Sequence, residues 1–167
     1  MQATPLPAAE AQMQLDPDWE YVADGVMGGV SQGRASKAEI AGRAAMRLTG
    51  QVSLENNGGF VQMAFDLGDG SFDASAWDGI ELQVYGNDEE YDLRVRTDEL
   101  ERPWHSFRAD FIAPPKWTTI RIPFTAFEPH RTDKSFDPAR LRRIGVLAIG
   151  REFEADVAVA TVSFYTE

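Results

Sequence analysis

The feature that most constrains the fold is a period-two alternation of apolar and polar residues, repeated along the chain. In Ile80-Glu81-Leu82-Gln83-Val84 every second position is apolar, and Tyr91-Asp92-Leu93-Arg94-Val95-Arg96 follows the same rule. Phe107-Arg108-Ala109-Asp110-Phe111 and Ile120-Arg121-Ile122-Pro123-Phe124 repeat it. Successive side chains of a strand point to opposite faces, so this pattern sets one face in a core and the other in water. An amphipathic helix needs a period near 3.6, and no long segment carries one. Further strands are predicted over residues 19–22, 34–40, 44–53, 60–67, 144–149 and 157–165. Turn residues separate them, as in Asn56-Asn57-Gly58-Gly59, Gly68-Asp69-Gly70, Gly86-Asn87-Asp88 and Pro114-Pro115. About ten short strands at this spacing predict an all-β sandwich or barrel. The best helical segment is 138–143, with Asp137 as N-cap and Pro138 in the first turn. A second short turn is expected near Ser75 to Trp77.

Size and composition then narrow the function classes. A chain of 167 residues suits one domain, and one of this size can bury a core without metal or disulfide support. There is no Cys, which removes disulfide scaffolds, thiolate metal sites and Cys nucleophiles. Only His105 and His130 are present, so a multi-His metal site is not expected. With 27 Asp and Glu against 16 Lys and Arg, the formal net charge of -11 argues against a nucleic-acid partner. No stretch reaches the ~18 consecutive apolar residues of a membrane span. Residues 1–15, rich in Ala, Gln and Pro, read as a flexible tail, and 16–167 as the folded domain. No basic segment followed by an apolar one opens the chain, so a cytoplasmic location is expected. Gln2-Ala3-Thr4-Pro5-Leu6-Pro7 would also suit the start of a trimmed periplasmic or secreted protein.

Four segments carry candidate chemistry. Asp24-Gly25-Val26-Met27-Gly28-Gly29-Val30-Ser31-Gln32-Gly33 has the glycines of a phosphate-cradling loop. It lacks both the following Lys-Ser/Thr and a following helix, so it reads as a loop over the end of a sandwich that lines a site. In Ser53-Leu54-Glu55-Asn56-Asn57-Gly58-Gly59, Asn57-Gly58 predicts a tight turn between strands. Glu55 and Asn56 either belong to that turn or bind a polar ligand. Arg94 and Arg96 alternate with Asp92 and Asp98, facing Ser106, Arg108 and Asp110 on a neighbouring strand, with Arg121 one strand further. That face is either solvated with weak ion pairs or a cationic floor for a carboxylate, phosphate or sugar acid. Asp66, Asp69, Asp73 and Asp78 offer oxygen ligands for Ca²⁺ near Asp69 and Asp73, although the spacing departs from an EF-hand. Apart from that option no cofactor is expected. Trp19, Trp77, Trp104 and Trp117 are core residues or sugar-stacking rings, Trp104 being the best candidate for an exposed one. No nucleophile elbow surrounds Ser31, and no catalytic constellation is visible.

The Asp-Gly-Val-Met-Gly-Gly-Val-Ser string and the Glu55 turn, in this order, resemble the complex I intermediate-associated protein 30 family. Arg96-Thr97-Asp98, Phe107–Phe111, Trp117 with Ile120–Phe124 and Phe127, and Ile144-Gly145 extend the resemblance from about Asp18 to Tyr165. It implies a galactose-binding-like jelly-roll β-sandwich, in agreement with the strands read from periodicity. It also implies a non-enzymatic, assembly-factor-like domain whose partner is a protein, such as a respiratory complex subunit or assembly intermediate. A carbohydrate-binding module is the alternative, since jelly rolls of this kind often bind sugars, and a hydrolase the third option. A site is expected where the glycine-rich loop meets the Glu55 turn and the arginine strands. Its candidate ligand-binding residues are Asp24, Ser31, Glu55, Asn56, Arg96 and Arg108.

Overall fold

The structure is a computed structural model and describes residues 12–23, 31–55, 59–68, 70–102 and 105–167. Strands are numbered in chain order and form two antiparallel sheets. The first runs β3 (Gln32–Ile40), β4 (Arg43–Val52), β12 (Phe153–Tyr165), β6 (Gly79–Tyr85) and β9 (Thr118–Pro123). β1 (Gln12–Gln14) joins it against the C-terminal end of β12, beyond the reach of β4. The second runs β10 (Glu128–His130), β8 (Ser106–Ala113), β7 (Glu89–Thr97), β11 (Leu141–Ile149), β5 (Phe60–Asp66) and β2 (Glu20–Ala23). The two sheets pack as a jelly-roll β-sandwich.

The alternation read from sequence faces this core. Ile80, Leu82 and Val84 of β6 are fully buried, as are Leu93 and Val95 of β7. Each such side chain contributes roughly 1.5–3 kcal/mol of burial free energy. Aromatic rings fill one end of the space between the sheets. Phe72 stacks on Phe164 with centroids 5.5 Å apart, and Trp77 lies 5.6 Å from the same ring. Phe136 packs against Phe107, Phe124 and Phe127. Tyr91 is buried too, and its hydroxyl donates to Asn87 Oδ1 and accepts from the Asp156 N–H. Burial pushes its pKa up to about 12.

Two backbone details explain local geometry. β3 and β4 meet in a two-residue hairpin, with Ile40 opposite Arg43. Ala41 (φ 46°) and Gly42 (φ 83°) both lie in the left-handed region, as the turn that matches strand twist requires. Further along the same pair Gly33 faces Gly50. A Cβ on Gly33 would stand 2.2 Å from the Thr49 carbonyl oxygen, so only glycine permits this approach.

Several expectations are corrected. Gln12–Gln14, assigned to the tail by composition, form β1, and Glu128–His130 form β10. The helix expected over 138–143 is a single 3-10 turn, Pro138–Arg140. Asp137 caps it as expected, accepting from Ala139 N–H, but Leu141 already belongs to β11. β4 and β5 lie in different sheets, so they are not the two arms of one hairpin, and the turn expected at Asn57-Gly58 lies outside the described residues. Arg121 sits on β9 in the first sheet, so it is not on a further strand of the arginine sheet and meets Arg108 only across a cleft between the layers. The turn near Ser75 is present, with Trp77 N–H donating to Ala74 C=O at 3.0 Å. Among the described residues, no helix is long and apolar enough to cross a membrane.

Candidate functional site

The outer face of the second sheet concentrates charge. On β7, Tyr91, Leu93 and Val95 point into the core, which turns Asp92, Arg94 and Arg96 outward. Antiparallel register sets Arg94 opposite Arg108 and Asp92 opposite Asp110. On the other side of β7, Arg96 lies opposite Arg143 of β11. Like charges placed directly across strands repel. Each arginine pair is relieved by acids.

Asp92 relieves the first. Arg94 reaches its Oδ2 through Nε at 3.0 Å and Nη2 at 2.9 Å. Arg108 binds both oxygens, Nε to Oδ2 at 3.0 Å and Nη2 to Oδ1 at 2.9 Å. The Asp92 side chain is only 4% exposed and Arg94 12%, against 36% for Arg108. Asp92 is therefore a buried counter-ion beneath a half-exposed guanidinium, in the forked geometry that arginine favours. Burial lowers the Arg94 pKa, opposed by Asp92. The Asp92 hydrogen bond raises that of Arg108.

His130 of β10 lies opposite the buried Ser106 of β8. Burial, followed by the positive charges of Arg94, Arg131 and Arg108, holds its imidazole below the ordinary histidine value, while Asp92 pulls the other way. On the far side of Arg108 a cleft of about 320 Å³ opens between the sheets. Its charged walls are Arg108, Asp110, Arg121 and Glu128, and Ala109 and Ile122 line it as well.

The second arginine pair has a different environment. Arg143 binds Glu20 at 2.5 Å and Asp66 at 2.9 Å. Arg96 donates to two backbone carbonyls, His105 at 3.0 Å and Arg102 at 2.7 Å. Its guanidinium thus ties down the β7–β8 connection.

The candidate residues separate into two groups. Ser31 is buried; its hydroxyl accepts from Ser53 N–H at 2.8 Å and donates to Ser53 C=O at 3.1 Å. Exposed Glu55 joins the same knot, its N–H donating to Ser53 Oγ at 3.2 Å. This knot adjoins the sandwich end where Gly150 N–H meets Gly59 C=O. Arg96 lies level with Arg143, at the other end of the β11 run Arg143–Ile149, roughly 20 Å away at about 3.3 Å per residue. Arg108 is nearer the middle, in register with Arg94 and Gly145. Ser31 with Glu55 therefore stands apart from Arg96 and Arg108, which lie on paired strands but bind different partners. Asp24, Asn56, Asp69 and Trp104 lie outside the described residues.

The described acids of the acidic loop each have their own partners. Asp66 binds Arg143, Asp73 accepts from Ser75 N–H and hydroxyl at 2.9 and 2.5 Å, and Asp78 accepts from Glu167 N–H at 2.8 Å. Among the described residues no group of three or more His, Asp or Glu is placed to hold a metal ion. Sequence reasoning missed His130 and Arg131, because Pro129 obscures the short strand that presents them. It also left Asp92 as one more polar position, since alternation gives the direction of a side chain but not its burial.

The model of the family described as complex I intermediate-associated protein 30 (CIA30) matches residues 10–158. No curated protein matches the chain. Among solved structures, the family 11 carbohydrate-binding module of cellulosomal cellulase Lic26A-Cel5E of Clostridium thermocellum superposes with a TM-score of 0.76 at 14% identity, covering 93% of this chain and 95% of that one. A family 30 carbohydrate-binding module gives a TM-score of 0.65 at 14% identity, over 93% and 88% of the two chains. An exo-β-agarase gives 0.59 at 9% identity, the match covering 92% of this chain and 24% of that one. These identities carry the fold alone, that of a jelly-roll sandwich. With a family match spanning most of its length, the chain belongs to the complex I intermediate-associated protein 30 family.

Proposed function

We propose that this chain is a non-enzymatic binding domain that engages a protein partner in the manner of an assembly factor, the partner being a respiratory complex subunit or assembly intermediate. The observation that carries this reading is the family match over residues 10–158. The site geometry supports it. Arg94, Asp92 and Arg108 are held in fixed relation by three hydrogen bonds and a further ion-pair contact, so a partner meets a charged surface already in place. Preorganisation of this kind lowers the ordering cost of association. The test is crosslinking and capture of a tagged full chain in its host, beside a deletion strain. A respiratory subunit or intermediate should be recovered, and the assembled complex should fall in the deletion strain. No specific partner, with respiratory complexes intact, overturns the reading.

A carbohydrate ligand is the second reading, favoured by one observation on the opposite face. Tyr85 and Trp117 meet edge to face at 5.6 Å beside the Arg43 guanidinium, which lies 4.9 Å from the Trp117 ring centre. Trp117 is fixed by its Nε1–H bond to the Ile40 carbonyl. Such a pair offers a large, fixed aromatic surface that the ring of a ligand can cover. A related fold, the family 11 module from Clostridium thermocellum, has been solved with a β-1,3-1,4-mixed-linked tetrasaccharide. A glycan array should then give hits that Trp117→Ala removes. A blank array rejects this reading.

A further inference from the structure

We propose that the outer edge of the second sheet, where β7, β8 and β10 meet, is an anion site that takes the carboxylates of an acidic peptide segment, with Arg131 and Arg108 as its contacting groups and Arg94 behind them. This rests on the protein-partner reading above and narrows it to one ligand class.

Three observations converge there. The first is charge placement. Arg94 and Arg108 face each other across β7 and β8, β10 sets His130 opposite Ser106 with Arg131 next in the chain, and all three guanidiniums act on the His130 imidazole against the carboxylate of Asp92. Asp92 uses both of its oxygens on Arg94 and Arg108. Arg131 is exposed and has no ion pair among the described residues. The second is backbone conformation. Arg131 follows directly on β10 with φ of 59°, the left-handed region that costs a non-glycine residue roughly 1–2 kcal/mol. Glycine would fit without that cost, yet a guanidinium is held there, and strain of this kind gathers at ligand sites. The third is the local field. The three arginines outweigh Asp92 at the His130 imidazole, so the potential there is positive on a protein of formal charge -11.

The remaining charges set the ligand class. Asp110 of β8 and Glu128 of β10 act on Arg108 and both line the cleft. The positive lobe is thus narrow and bordered by acids. Such a lobe accepts single carboxylates spaced along a chain and repels a dense polyanion. Arg108 is 36% exposed above its Asp92 contact, so a ligand carboxylate can reach it without breaking that pair.

The test is a fluorescence anisotropy titration of the full chain with a labelled, short Glu-Gly peptide and its Gln-Gly counterpart. It is run at low ionic strength, about 0.02 M, where screening is weak. The overall charge repels any acidic peptide, so binding must be local. The Glu peptide should bind and the Gln peptide should not. Arg131→Gly removes the charge and suits the backbone; it should weaken binding about tenfold while the melting temperature holds or rises. Arg108→Gln should weaken it similarly. In imidazole NMR, saturating Glu peptide should raise the His130 pKa, because the bound carboxylate balances the surrounding arginines. No binding of the Glu peptide, wild-type affinity in either arginine variant, or tighter binding of a uronic-acid oligosaccharide would overturn the site. The titration needs no native partner. A failed capture therefore counts against the assembly reading, and a failed titration against this site.

Discussion

Asp92 concentrates the energetic argument at the residue scale. Its carboxylate is buried between two guanidiniums, one of them nearly buried as well. Removing one partner of a buried ion pair leaves the other charge without solvent or counter-ion, which costs more than the intact pair contributes. Asp92→Asn should therefore lower stability by about 3 kcal/mol in urea unfolding. Exposed pairs such as Arg140 with Asp98 should matter little, and Asp98→Asn should change stability by under about 1 kcal/mol. His130 gives a pH signature. Its folded-state pKa lies below the ordinary value near 6.5, so on acidification the unfolded chain binds the proton first. Stability at this residue is complete above about pH 6.5 and is lost as pH falls toward the folded pKa. Melting temperatures at pH 7.5 and 5.5 should then fall further for the wild type than for His130→Gln. The facing of Asp92 and Arg94 with Arg108 was legible in the sequence, but the burial was not. Period-two alternation placed Asp92 and Arg94 on the polar face, where solvent is the ordinary neighbour. Burial arose because Arg108, from a strand paired across the turn, lies over Asp92.

Elements were legible in proportion to their length. Every strand with two or more apolar alternations was found, because each repeat adds evidence for the period. β1 and β10 have three residues each, and Glu128-Pro129-His130 adds a proline that argues against a strand. The 3-10 turn after Asp137 was recognisable from its cap, but its end was not. Leu141 is fully buried, and sheet pairing claims it at once. The β3–β4 hairpin offers a direct test of local geometry. Ala41 occupies a left-handed position that asparagine tolerates better, so Ala41→Asn should raise stability by about 0.5–1 kcal/mol. Gly33→Ala should do the reverse, by roughly 1–3 kcal/mol, because its methyl would meet the Thr49 carbonyl. Chemical denaturation of the two variants beside the wild type checks both signs.

On the scale of the whole molecule, period told which residues face a core but not which sheet owns a strand. Arg121 shows the consequence. Its strand alternates like β7 and β8, yet chain order carries β9 into the other layer. Any site built from several strands inherits that ambiguity, which is why the candidate residues fall into separate clusters. The topology also has a temporal meaning. β11 and β12 follow the other ten strands in sequence, yet each lies between neighbours in the interior of its sheet. β12 alone touches β1, β4 and β6, with Gln12 paired to Tyr165 and Val52 to Phe153. A nascent chain that has emerged only as far as β10 holds apolar faces on β4, β5, β6 and β7 with no central strand to join them. Neither sheet can close on the ribosome until the last strands have left the exit tunnel, so this family member must pass its synthesis as an open, adhesive chain.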